Sequence, residues 1–146
     1  MTASFPEYVV DIEQRLRQIA GIVRRRGRML VEKYGITPPQ LDALIILNKD
    51  GELTIGDLSC RLYLAYSTTT DLVDRLERAG FVARYRDTED RRVVRVRLQE
   101  YGATMIEDLL DARRAYLADV LESVDKDEKR RVLEVLDMLS AKMNDK

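Results

Sequence analysis

The chain has 146 residues, of which 35% are charged, and this length suits one domain with its own hydrophobic core. It contains no histidine and a single cysteine, Cys60, which excludes an internal disulfide and a cysteine-based zinc site. Because the most common general base and a glycine-rich phosphate loop are both missing, the sequence argues against an enzyme and predicts neither a cofactor nor a metal. No run of 18 apolar residues and no signal peptide is visible, which predicts a cytoplasmic protein with no membrane partner.

Charge is segregated along the chain, although the net charge is only −1. Residues 54–98 carry a net charge of +2, and all of their basic side chains are arginines, whereas residues 99–146 carry a net charge of −4. A mildly basic middle segment beside an acidic tail is a weak electrostatic footprint for nucleic acid. It predicts DNA binding through a few focused arginines rather than through a broad basic face.

The N-terminal part has helical periodicity. Residues 7–33 are predicted to form one long helix, because apolar side chains recur at steps of three and four at Val9, Ile12, Leu16, Ile19, Val23 and Leu30. Gly35 is a suitable residue for the end of this helix. The arginine run at residues 24–28 is interpreted as a solvated face rather than as a DNA contact.

Two shorter helices are predicted next. Thr37-Pro38-Pro39-Gln40 combines a cap, prolines in the first turn and a glutamine at the third position, which predicts a helix that continues to about Asn48. Thr54 is predicted to cap the following helix, although its hydroxyl also suits a DNA phosphate. Cys60 lies in the middle of that helix and is predicted to be a buried structural thiol.

A helix with small hydroxylated residues at its start follows. Ser67 is predicted to be its N-cap, and Gly80 lies where the helix should stop. The N-terminal end of a helix attracts phosphate oxygens, and hydroxyl groups bond base edges. Residues 54–79 therefore predict a helix-turn-helix that presents Ser67, Thr68 and Thr70 to the major groove, with Thr69 partly facing it.

A basic turn separates two predicted strands. The strand-forming residues are Phe81, Val82, Val93, Val94, Val96 and Leu98. Arg91 and Arg92 belong to the polar segment between the strands, at the tip of a predicted two-stranded hairpin. The negative potential of a minor groove attracts guanidinium groups, so both arginines are candidate DNA contacts. A solvated turn is the alternative interpretation.

The C-terminal part predicts two further long helices. Residues 100–124 carry a broad apolar stripe, and Asp125 followed by Glu128 predicts a helix start that leads to about Met143. These helices and residues 7–33 offer more apolar surface than the central unit can cover. A two-fold homodimer that intertwines both chain ends is the predicted solution.

The sequence resembles the MarR family of transcriptional regulators. The resemblance is carried by Val73-Asp74-Arg75-Leu76-Glu77, by Gly80-Phe81-Val82, and by Asp90-Arg91-Arg92 followed by alternating apolar residues. It implies one mainly α domain over residues 1–146 with a small β-hairpin wing. In this domain a winged helix-turn-helix lobe at 37–98 is flanked by long dimerisation helices at 7–33 and 100–143.

The same resemblance implies the function and several residue roles. Members of the family are dimeric regulators, often repressors, that bind pseudo-palindromic double-stranded DNA and respond to small, often aromatic anions. The resemblance implies that Arg75 contacts the DNA backbone or pairs with Asp90, and an ordinary salt bridge within the domain is an equal alternative. The candidate residues for an effector pocket are Met29, Tyr34, Tyr63 and Tyr66, for which core packing is the alternative.

Two other functions stay open at the level of sequence. Asp71, Asp74 and Glu77 on the reading helix repel phosphate, which favours a winged helix used for protein contact without DNA. A thiol sensor built on Cys60 is the third hypothesis. Peroxide-sensing members of the family carry their cysteine near the start of the first helix, where this chain has none, so that activity does not carry over.

Overall fold

The computed structural model describes residues 3–146. In chain order its elements are α1 (Glu7–Arg25), α2 (Arg28–Lys33), α3 (Pro38–Asp50), β1 (Leu53–Thr54), α4 (Ile55–Leu62), α5 (Tyr66–Arg78), β2 (Val82–Arg86), β3 (Val94–Leu98), α6 (Glu100–Leu121) and α7 (Lys126–Asn144). The mainly α fold with a small β wing is confirmed.

The N-terminal helix is broken, whereas the sequence predicted one helix over residues 7–33. After α1, Arg26 is extended and Gly27 adopts a left-handed conformation with a φ of 85°. A Cβ atom at Gly27 would collide with the side chain of Leu109 in α6, so only glycine fits at this turn without a shift of its neighbour. The Arg26 guanidinium lies 3.9 Å from the centroid of the Tyr116 ring, which adds a cation–π contact to the same junction.

The starts of α3 and α7, which depend on local hydrogen bonds, agree with the sequence. The Thr37 hydroxyl accepts from the Gln40 N–H, and the Gln40 side chain accepts from the Thr37 N–H at 2.9 Å, which completes a capping box. Asp125 accepts from the Glu128 N–H at 2.8 Å and caps α7. Each of these caps joins residues three positions apart, so sequence alone is sufficient to predict it.

The sheet has three antiparallel strands in the order β1-β3-β2, rather than the predicted two. Val82 pairs with Leu98 at one end of the hairpin, and Leu53 pairs with Val96 on the other side of β3. The additional strand β1 has only two residues, which is too short to give a periodic pattern in the sequence. It ties the start of α4 to Arg95 and Val96 of β3.

The hydrophobic core lies between the three helices α3 to α5, the sheet and the first half of α6. Its fully buried side chains include Leu44, Leu47, Leu58, Val73, Leu76, Val82, Val96, Met105, Ile106 and Leu109. This core fixes α5 against β2 and leaves the opposite face of α5 in solvent. Cys60 is exposed on α4, so its predicted burial is wrong. The buried face of α4 is formed by Ile55, Leu58 and Ser59.

The two terminal helices behave differently from the core elements. Neither α1 nor α7 has a buried residue, although each carries large apolar side chains. Those that are exposed include Tyr8, Val9, Ile12, Ile19, Val132, Leu133, Val135, Leu136 and Met143. No helix within residues 3–146 combines the length and the apolar character needed to span a membrane.

Candidate nucleic-acid interface

The reading helix α5 begins earlier than an N-cap at Ser67 requires. Ala65 is the N-cap residue, and its carbonyl accepts from the Thr69 N–H at 3.0 Å. The predicted cap is therefore wrong, and Ser67 lies in the first turn with its hydroxyl free of that task. No side chain of the described residues caps α5, so the first N–H groups of the helix point into solvent at its positive end.

The hydroxylated residues of α5 divide between its surface and the core. Ser67 and Thr68 are exposed, and Thr70 is half-buried with its hydroxyl donating to the Tyr66 carbonyl at 3.0 Å. Thr69 is 0% exposed, and its hydroxyl donates to the Ala65 carbonyl. The predicted place of Thr69 at the groove is wrong, because it belongs to the buried face with Leu72, Val73 and Leu76.

Two of the three acidic residues on α5 form ion pairs with a residue that the sequence did not single out. Arg84 of β2 forms ion pairs with Asp74 and with Glu77, the latter with Nη2 3.1 Å from Oε1. The Arg84 N–H also donates to Glu77 at 2.8 Å, and this bond is the main reason that the pKa of Glu77 lies below its ordinary value. Asp71 remains exposed on the same helix.

Internal hydrogen bonds organise the wing turn between β2 and β3. Arg92 donates to both carboxylate oxygens of Asp90, from Nε at 3.1 Å and from Nη2 at 3.2 Å. Asp87 accepts from Nε of Arg95 at 2.9 Å and from the Asp90 N–H at 3.1 Å. The bonds from Arg92 and Arg95 lower the pKa of Asp90 and of Asp87, respectively. The fork between Arg92 and Asp90 holds an exposed guanidinium in one orientation at the turn.

Arg91 of the wing and Arg75 of α5 occupy different environments. Arg91 is exposed, and its carbonyl accepts from Nη1 of Arg86 at 2.8 Å. Arg75 is exposed on α5 and forms no ion pair with Asp90 in the described chain. Asp90 pairs with Arg92 instead, two residues further along the wing turn. The predicted pairing of Arg75 with Asp90 is wrong, and Arg75 keeps its guanidinium on the exposed face.

Thr54 stands where the sheet meets the helix-turn-helix. Its hydroxyl accepts from the Asp57 N–H at 3.0 Å, which confirms the predicted cap of α4. Its backbone belongs to β1 and pairs with Arg95. Thr54 thus holds the N-terminal end of α4 beside the wing.

The four candidate effector residues lie in different environments. Met29 and Tyr66 are exposed, and Tyr63 stands at the rim of a shallow groove with Ile45 and Leu62. Tyr34 is half-buried, with its ring edge-on to those of Phe81 and Tyr101. Core packing is therefore the observed environment of Tyr34.

A hydroxylated helix end, an uncovered helix face and an adjacent arginine hairpin define a winged helix-turn-helix DNA-binding protein. A family model described as the MarR family matches residues 36–94. The chain is 45% identical to the uncharacterized HTH-type transcriptional regulator YsmB of Bacillus subtilis (strain 168) over 128 residues, which cover 88% of each chain. It is 31% identical to the HTH-type transcriptional repressor MdtR of the same organism over 86% of this chain and 81% of MdtR.

Solved structures give the same result. The structure of a MarR family protein from Bacillus stearothermophilus matches with a TM-score of 0.86 and 45% identity, covering 97% of this chain and 99% of that one. The transcriptional regulator Tm0710 from Thermotoga maritima matches with a TM-score of 0.74 and 32% identity over 92% and 94% of the two chains. The chain belongs to the MarR family, and it is a DNA-binding transcriptional regulator.

Proposed function

We propose that the chain acts as a homodimer that reads a pseudo-palindromic operator. Residues 37–98 form the DNA-binding lobe, and residues 7–33 with 100–143 form the dimerisation lobe. The apolar faces of α1 and α7, which no part of the described chain covers, support the dimer. Two-fold symmetry then requires two half-sites about one helical turn, roughly 10 bp, apart.

The observation that carries the DNA interface is the arrangement of α5 beside the wing. The uncapped end of α5 enters the major groove with Ser67, Thr68 and Thr70, and Arg75 reaches a phosphate further along the helix. Arg91 and Arg92 enter the adjacent minor groove. Arg92 is the main anchor, because its side chain is 91% exposed and Asp90 already holds its guanidinium in one orientation.

The alternative is a winged helix that binds protein without DNA. It rested on three acidic residues of the reading helix. Arg84 pairs with Asp74 and Glu77 and cancels one of their two negative charges, so α5 presents less negative charge to an approaching phosphate than its three acidic residues suggest. This arrangement favours DNA over a protein partner.

Titration of labelled operator DNA at several salt concentrations tests the proposal. We expect Arg92→Ala to weaken binding and to lower the slope of log K against log salt by about one unit for each phosphate that the variant leaves unneutralised. Arg92→Lys should recover part of the affinity, because lysine lacks the planar fork. Arg114→Ala is the matched control, since this exposed arginine pairs with Glu107 and Asp111 on α6, away from the wing. Wild-type affinity and slope in a folded Arg92→Ala protein would exclude the wing from the interface.

We also propose that the chain is a repressor that a small aromatic or anionic effector releases from DNA. Membership of the MarR family supports this, and the relative MdtR is named a repressor. Tyr34 packs against Phe81, and Met29 and Tyr66 are exposed, which supports an effector site that a second protomer completes. Aromatic carboxylates titrated into the protein–operator complex should lower its affinity, and complexes that resist every one of them would count against the proposal.

A further inference from the structure

Tyr63 ends α4 in a conformation that tyrosine rarely adopts. Its φ of 56° and ψ of 37° are left-handed, and no other non-glycine residue in the described chain has a positive φ. The Tyr63 N–H donates to the Cys60 carbonyl at 3.2 Å, and the Leu64 N–H donates to the Ser59 carbonyl at 3.1 Å. These two bonds close a helix around a left-handed residue, a position where glycine is usual because a Cβ atom is unfavourable.

The side chain of Tyr63 packs against very little of its own protomer. It is 94% exposed, the highest exposure of any large apolar residue described. It borders the groove between α3 and α4, which Ile45 and Leu62 also line. Burial of the ring therefore does not explain why tyrosine occupies this left-handed position, and this observation motivates a role for the side chain outside its own protomer.

The position of Tyr63 indicates which complex this is. The turn at residues 63–65 leads directly into α5, whose first exposed side chains are Tyr66, Ser67 and Thr68. When the N-terminal end of a reading helix enters the major groove, the turn before it lies beside the sugar-phosphate backbone at the groove edge. A phenol suits this place, because tyrosine hydroxyls donate to phosphate oxygens and the ring covers the neighbouring deoxyribose.

We propose that Tyr63 is a DNA-backbone contact that fixes the register of α5 in the groove. This inference rests on the proposed function, since it requires α5 to be the reading helix. It assigns Tyr63 to DNA and not to the effector pocket. A backbone contact carries no base information, so the contribution of Tyr63 is the same on operator and on random DNA.

The Tyr63→Gly substitution tests the backbone strain and the DNA contact separately. Glycine accepts the left-handed backbone without strain, so the melting temperature should rise by about 2–4 °C. Affinity for operator and for random DNA should fall together, each on the order of tenfold. Tyr63→Phe keeps the backbone and the ring and should lose only part of the affinity. In both variants the salt slope should stay at the wild-type value, because tyrosine carries no charge.

Controls make the result decisive. Tyr101→Phe removes a phenol hydroxyl at the start of α6, on a ring that stacks on Phe81, and should leave DNA affinity unchanged. A Tyr63→Gly protein that binds DNA as tightly as wild type overturns the inference. A weaker dimer in sedimentation with unchanged DNA affinity also overturns it, because the side chain then serves the second copy. If the wild-type chain binds no DNA, the proposed function itself fails; if it binds and the Tyr63 variants match it, only this inference fails.

Discussion

Neighbouring threonines in α5 show how strongly one position along a helix decides a residue's role. Thr68 is exposed at the end of the reading face, whereas Thr69 is fully buried and bonded to Ala65. Successive residues of a helix differ by about 100° in direction. One step along the sequence therefore separates a candidate DNA contact from a core residue.

The same substitution at these two threonines should change different properties, DNA discrimination at Thr68 and stability at Thr69. Thr68→Ala should reduce the discrimination between operator and random DNA by about 1–3 kcal/mol, with stability within about 0.5 kcal/mol of wild type. Thr69→Ala should leave discrimination unchanged and cost about 1–3 kcal/mol of stability, because it removes a buried methyl group and a hydroxyl hydrogen bond. Binding titrations and thermal unfolding of both variants check this. Reduced discrimination in a folded Thr69→Ala protein would return that residue to the interface.

At the scale of elements, the turn at Arg26 and Gly27 connects α1 to α2 and to the rest of the chain. Gly27 combines a left-handed backbone with close contact to Leu109, whereas Gly35 has a φ of 67° and open space around it. The two glycines therefore share the conformational cost of gaining a Cβ atom but differ in what that atom meets.

Alanine at both positions should separate the two effects. Gly35→Ala should cost about 1 kcal/mol of stability, which is the effect of the left-handed backbone alone. Gly27→Ala should cost about 1–3 kcal/mol more, since Leu109 must move to admit the Cβ atom. Denaturant unfolding of both variants measures the difference. Equal losses of stability would mean that the contact with Leu109 does not constrain the junction.

The contact between α5 and β2 should depend on pH. The pKa of Glu77 is lowered in the folded chain, so its contribution to stability is present above the ordinary value of 4.5 and is lost as the pH falls through the lowered pKa. Glu77→Gln should therefore melt at a lower temperature than wild type at about pH 6, with a smaller difference at about pH 3.5. The pKa values of the wing carboxylates Asp87 and Asp90 shift in the same direction. A difference between the two proteins that stays constant over this range would assign Glu77 a role independent of its charge.

At the scale of the whole molecule, the main feature is the exposed apolar face of each terminal helix. Leu136 is 51% exposed on α7, and large apolar side chains recur along the same helix. We expect Leu136→Glu to shift the protein from dimer to monomer, because a carboxylate is strongly disfavoured at an apolar interface. Ala141→Glu, on another side of α7, is the control and should leave the dimer intact. Light scattering over a range of concentrations measures both.

A truncated chain gives a second test of the same interface. Removal of residues 1–30 and 125–146 should leave a monomer or an unfolded chain, because both predicted arms are then missing. A stable dimer formed by that fragment would place the interface elsewhere.

Features that depend on neighbours a few residues apart could be predicted from the amino-acid sequence. The caps at Thr37, Thr54 and Asp125 and the arginine wing are of this kind, since each rests on local hydrogen bonds or strand patterns. The order of the helices and the family motif between residues 73 and 92 can also be read from residues that are close together in the sequence. These features sufficed to predict a winged helix-turn-helix.

Features that depend on distant parts of the chain required the three-dimensional fold. Distant residues meet where Gly27 packs against Leu109, where β1 pairs with β3, and where Arg84 pairs with acidic residues of α5. The burial of Thr69 and the exposure of Cys60 depend on which side of a helix meets the core. Periodicity indicates that a helix has an apolar side, but it does not indicate which residues border that side or which partners lie opposite, because packing joins residues far apart in sequence.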